Sequence, residues 1–164
     1  MWPINTLPSM MRIFYLIVLL VLLMVADLVT KYLVSENIPP DTYVPIIWEF
    51  LWIERAYNSG IAFSLPLEGI PLQVLTIALI AAIIYFYVQD EYKKKSHLLD
   101  IAYILILAWA FSHAYERIFI WHVIDFIFVK YFAILNFADI FISVGVFMLA
   151  IHYLSHEYHR KFRS

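Results

Sequence analysis

Four apolar runs, each near the roughly 20 residues that a helix needs to cross the hydrocarbon core of a bilayer, constrain this chain more than any other feature. They extend from about Met11 to Val34, Ile70 to Val88, Leu98 to Ile120 and Phe137 to Leu154. Inside lipid every backbone N–H and C=O must find a partner within its own segment, so each run is predicted to be a helix. The fold class is therefore an all-α polytopic membrane protein with four transmembrane helices. Composition agrees, because 64% of the residues are hydrophobic and 15% charged, a balance unlike that of a soluble domain. No linker or repeat divides residues 1–164, which read as a single domain. Cysteine is absent, so disulfides, thiolate catalysis and Cys-ligated metals are excluded. A net charge of −2 with scattered basic residues speaks against a nucleic-acid partner.

Lys and Arg in the short connections set the orientation. Lys93, Lys94 and Lys95 lie between the second and third runs, and Arg160, Lys161 and Arg163 follow the fourth, so both regions and both termini are expected in the cytoplasm. The connections carrying only Arg55 and only Lys130 are expected to face outward. Arg12 ahead of an apolar run, with Val25-Ala26 further on, loosely resembles a secretory signal peptide, but the run is long for one. In the first outward connection a surface segment over about 39–66 is predicted to contain β-structure. Its stretch from Phe50 to Asn58 is rich in strand formers, and Asn58-Ser59-Gly60 gives a turn before Ile61-Ala62-Phe63-Ser64. Its Trp and Tyr residues suit the lipid headgroup region.

A charged side chain in a span costs a few kcal/mol at the bilayer centre, which makes each one a functional hypothesis. Asp27, Thr30 and Lys31 share one face in the outer third of the first helix, and His113, Glu116 and Arg117 repeat that spacing on the third. Asp139 opens the fourth helix, preceded by Asp125. The inner half holds little beyond Asp100 and His152, so the expected site is at the outer leaflet. Simpler readings stand beside these. Asp27 and Lys31 suffice as an i, i+4 ion pair, Glu116 with Arg117 as an interfacial pair, His113 as a packing residue and Asp139 as a charge favoured by the helix dipole. His152, His156 and His159 read as a solvated tail, and no metal is assigned.

Along a continuous helix Asp125 and Asp139 would stand about 21 Å apart, so their meeting requires the chain to fold back. Phe126 to Leu135 is apolar enough to lie at the interface while making that reversal. Two carboxylates in a partly dry site do not both ionise cheaply, so one holds a proton while the other deprotonates water, the arrangement for hydrolysing an amide without a covalent intermediate. Buried carboxylates also build proton or ion relays, but that reading calls for polar residues through the full depth of the spans.

Four ordered motifs at these positions resemble signal peptidase II, the bacterial lipoprotein signal peptidase family, over nearly the whole chain. Asp27-Leu28-Val29-Thr30-Lys31 resembles D-x-x-[ST]-K, and Asn58-Ser59-Gly60-Ile61-Ala62-Phe63-Ser64 resembles N-x-G-x-A-F-S. Val123-Ile124-Asp125-Phe126 is similar to V-x-D-F, and Asn136-Phe137-Ala138-Asp139 with Ile142 and Gly145 to N-x-A-D-x-x-I-x-x-G. The resemblance implies a membrane aspartyl peptidase, without metal or cofactor, that cuts prolipoproteins before a diacylglyceryl-modified cysteine. It implies Asp125 and Asp139 as the catalytic pair, with Asn58, Gly60, His113, Glu116, Arg117 and Asn136 binding substrate or ordering the site. Asp27 and Lys31 would support the scaffold. The implied setting is the bacterial inner membrane, where a monomer meets lipid-modified prolipoproteins among membrane lipids. The third helix departs from the family's G-N-x-x-D-R, reading Ser112-His113-Ala114-Tyr115-Glu116-Arg117, and only Arg117 matches outright. A non-catalytic relative that binds lipoproteins or lipids through the same groove is the alternative that this departure raises.

Overall fold

The computed structural model describes residues 8–60 and 68–162. Four helices in it are long and apolar enough to cross a membrane: α1 (Ser9–Asn37), α2 (Gly69–Phe86), α3 (His97–Phe119) and α4 (Phe137–Phe162). The helix begun by α2 continues through one π turn and one 3₁₀ turn as far as Lys94, beyond the expected end at Val88. Lys95, with φ +50°, ends it, and the Ser96 side chain then caps α3.

The third helix is the axis of the bundle and packs against the other three. Its sequence permits this because Ala102, Ala108, Ala110, Ser112 and Ala114 are small and buried, letting neighbouring backbones approach. Gly145 of α4 seats against the same helix so closely that a Cβ there would lie 2.8 Å from the Ala102 carbonyl oxygen. Most side chains of α1, α2 and α4 are apolar and turned outward, as lipid-facing helices require. At the basic end of the bundle Arg12 is buried and grips Asp100 with two nitrogens, at 2.5 and 2.9 Å, while the Tyr87 hydroxyl donates to the same carboxylate at 2.6 Å. Asp100, an isolated charge in the sequence, thus locks α1 and α2 to α3.

At the opposite end both connections contribute to one antiparallel sheet, in the order β1 (Tyr43–Ile47), β2 (Leu51–Asn58), β3 (Val123–Val129) and β4 (Ala133–Leu135). The expected β-structure of the first connection is therefore present. The segment Phe126 to Leu135, however, is not merely an interfacial reversal: it completes β3, turns and returns as β4. Its apolar side chains gain partners by strand pairing, including Phe128 stacked on Trp52 at 3.8 Å between ring centroids. Trp48, Tyr131 and Phe132 remain strongly exposed at the strand turns, a composition suited to a membrane–water boundary.

Candidate active site

The register of β2 against β3 builds one half of the site. Asn58 pairs with Val123 and Ala56 with Asp125, so Asn58 and Asp125 are diagonal neighbours on one face. The Asn58 amide donates to Asp125 Oδ2 at 3.1 Å, and its own oxygen accepts from the Gly60 N–H at 3.1 Å. From the other side the Asn136 amide donates to Asp125 Oδ1 at 2.6 Å. Burial pushes the Asp125 carboxyl above the usual aspartate range, the negative charge of Asp139 adds to this, and the two amide donors oppose it.

A helix cap builds the other half. Asn136 precedes the first turn of α4, and its oxygen accepts from the Asp139 N–H at 3.0 Å while Asp139 Oδ2 accepts from the Asn136 N–H at 3.1 Å. This reciprocal pair is a capping box built from Asn and Asp, so Asp139 satisfies the helix terminus and faces the site at once. Its second oxygen accepts from the Trp109 indole N–H at 3.1 Å and lies 3.9 Å from His113 Nε2. Asp139 keeps 26% of its side chain exposed, so the pair opens on this side. One oxygen of Asp125, one of Asp139 and a ring nitrogen of His113 all lie within 4.8 Å of one another. That separation lets a single water bridge the two carboxylates.

Behind the pair runs a buried charged network. Lys31 Nζ stands 2.7 Å from Asp27 and 2.6 Å from Glu116, all three being almost fully excluded from solvent. Asp27 also accepts from the Ala138 N–H at 2.9 Å and from the Ser112 hydroxyl. Glu116 accepts from the Ile124 N–H at 3.0 Å. Ile124 and Ala138 are the residues immediately before Asp125 and Asp139, so one lysine and two carboxylates fix the backbone that presents both aspartates. Asp27 and Lys31 do form the expected i, i+4 pair, but as part of a larger unit.

Glu116 does not form an interfacial pair with Arg117. It points into the bundle because Lys31 and the Ile124 N–H offer both of its oxygens partners where water cannot. Arg117 instead reaches the Gly60 carbonyl at 3.2 Å and the Thr76 hydroxyl at 3.4 Å, and its buried Nε has no partner among the described residues. Ser112, bulkier than the glycine of the family motif, contributes the hydrogen bond to Asp27. Residues Ile61 to Ser64, the second half of the Asn58 motif, lie outside the described residues. Trp109 was not legible as a site residue in the sequence, although its place one turn before His113 put it on the polar face of α3.

Three comparisons bear on this arrangement. The family profile described as Signal peptidase (SPase) II matches residues 19–155. Curated relatives named lipoprotein signal peptidase include that of Bacillus velezensis, 36% identical over 148 residues, which cover 87% of this chain and 94% of that protein. That of Pseudomonas fluorescens is 35% identical over 140 residues, covering 80% and 82%. A solved structure described as a bacterial membrane enzyme, obtained by the in meso method at 2.3 Å resolution, superposes with a TM-score of 0.77 at 28% identity, covering 87% of this chain and 89% of its own.

Proposed function

Since the chain belongs to the signal peptidase II family, we propose that it removes signal peptides from diacylglyceryl-modified prolipoproteins as an aspartyl endopeptidase, with Asp125 and Asp139 as the catalytic pair. The four spans make it a multi-pass membrane protease. The approach of the two carboxylates to within water-bridging distance at the end of a lipid-facing bundle carries this reading.

In this reading the ionised carboxylate accepts a proton from the water between the pair, and the water oxygen attacks the scissile carbonyl carbon. The protonated carboxyl gives its proton to the carbonyl oxygen, forming a neutral tetrahedral diol. When the C–N bond breaks, one diol hydroxyl returns a proton to the second aspartate while the first protonates the leaving amine. The pair ends with one proton, as it began. Asn58, Asn136 and Trp109 hold the carboxylates in place.

Charge supports an orientation. Lys93, Lys94, Lys95 and Arg160, Lys161, Arg163 favour cytoplasmic termini in a bacterial inner membrane, with the sheet and its aspartates at the outer leaflet. A lipidated substrate then enters sideways, its acyl chains still in the bilayer. The test is incubation of purified protein with a diacylglyceryl-modified prolipoprotein. Wild type is expected to release the signal peptide, and Asp125→Asn or Asp139→Asn to bind substrate without cutting it. Near-normal cleavage by either folded variant refutes the assignment, and binding without cleavage by wild type itself makes the chain a non-catalytic lipoprotein binder.

A further inference from the structure

The histidine on the third helix gives this site a chemistry that two aspartates lack. His113 is buried, and its Nε2 lies 3.2 Å from the Asn136 side-chain nitrogen and 3.9 Å from Asp139 Oδ1. The Asn136 oxygen is committed to the Asp139 N–H, which identifies the group facing the ring as the amide NH2. Nε2 therefore accepts, and the ring is neutral with its proton on Nδ1. That nitrogen is buried and has no partner among the described residues. Nε2 is thus the unprotonated nitrogen, the form in which histidine ligates metals, and the Asn136 amide that donates to both it and Asp125 must turn aside for an ion to enter between them.

We propose that His113, Asp125 and Asp139 form a binding site for a divalent transition-metal ion of the Zn2+ type, and that the bound ion blocks the peptidase. The three donor atoms come from α3, β3 and α4 and already lie within 4.8 Å of one another. Metal–ligand bonds of about 2.0–2.2 Å require them to draw in by roughly 1 Å. Asp139, the more exposed member, makes this approach by giving up the Trp109 contact on Oδ1. One imidazole and two carboxylates suit Zn2+ or Co2+ and leave coordination positions open toward the substrate side. A dication also neutralises two carboxylates that otherwise cannot both ionise cheaply in a dry site. An ion held by both aspartates leaves neither free to take a proton from water or give one to the carbonyl oxygen. The lysine behind the site makes its direct ion pairs with Asp27 and Glu116 rather than with these carboxylates.

Binding is read without substrate, so the inference stands or falls separately from the peptidase reading. Chelator-treated full chain is titrated with Co2+, its visible absorption followed, and the ion then displaced with Zn2+. One tight ion per chain is expected in wild type and in a variant whose tail histidines, His152, His156 and His159, are changed to Asn. His113→Asn is expected to weaken binding about 10–100-fold. Thermal unfolding checks that this variant is folded. X-ray absorption of the Zn2+-loaded wild type, which needs no variant, is expected to show a single imidazole among oxygen ligands. In the cleavage assay Zn2+ is expected to inhibit wild type at concentrations that leave His113→Asn at its own metal-free rate. Equal binding by folded His113→Asn, loss of binding in the tail variant, a zinc shell with several imidazoles, or no tight ion in wild type would each overturn the proposal.

Discussion

Replacing Lys31 by Met removes the only cation that contacts Asp27 and Glu116 among the described residues, while keeping an unbranched apolar stem of similar length. Both carboxylates stay buried, each with backbone or hydroxyl donors that return only part of what Lys31 supplied. Breaking a buried pair in this way costs about 3–5 kcal/mol, mostly as the penalty of the charge left behind. At roughly 2–4 °C per kcal/mol for a chain of this size, the midpoint of thermal unfolding in detergent is expected to fall by roughly 6–20 °C. Lys93→Met, an exposed site at the opposite end, is the control and should shift it little. The diagnostic step is the double variant Lys31→Met with Glu116→Gln. If the loss comes from an uncompensated charge, neutralising Glu116 restores part of it, so the two changes are less than additive. A fall no larger than the control's, or strict additivity, refutes the claim that the three groups act as one buried unit.

Other consequences are simpler to state. Gly145→Leu forces a side chain against the Ala102 carbonyl and Ile106, and should destabilise the bundle by about 1–3 kcal/mol or more in thermal unfolding. Trp109→Phe removes the indole donor to Asp139 but keeps an aromatic ring, and should lower the cleavage rate about tenfold, the equivalent of one hydrogen bond of about 1.4 kcal/mol, with substrate binding kept. Because the Asp125 pKa is raised by burial, its ionised form opposes folding. Wild type should therefore lose stability relative to Asp125→Asn as pH rises from the ordinary carboxylate range through the raised value, then level off, which unfolding midpoints across pH will show.

How much could be read from the residues in order depends on whether the signal was local. The spans were legible because twenty apolar residues have few other fates, and the run from Phe50 to Asn58 announced a strand by composition. Strands β3 and β4 were not. Val123–Val129 is almost wholly apolar, which does not separate an interfacial segment from a strand, and Ala133–Leu135 is too short to carry a pattern. What makes β3 a strand is the open edge of β2, which lies far away in sequence, and β4 then pairs with the other edge of β3. The same limit separates Asp139 from Glu116. The capping box of Asp139 is written into Asn136-Phe137-Ala138-Asp139 by its spacing. The partner of Glu116 is Lys31, on another helix, and sequence spacing offered only the adjacent Arg117.

The reach of Glu116 shows why the departures on the third helix belong together. Its two oxygens span from Lys31 Nζ at 2.6 Å to the Ile124 N–H at 3.0 Å, linking α1 to the strand that carries Asp125. An aspartate there would be one methylene shorter and would give up one of these contacts unless α1 or β3 moved toward α3. Ser112 sits one turn before Glu116 on the same helix, and its hydroxyl occupies Asp27, the other carboxylate on Lys31. A glycine would let the backbones come closer but leave that oxygen without the donor. Ser112 and Glu116 thus serve the same lysine-centred unit, one through Asp27 and the other directly. His113 faces the other way, toward Asn136 and Asp139. Of these three side chains, it alone faces the two aspartates rather than the network that holds them.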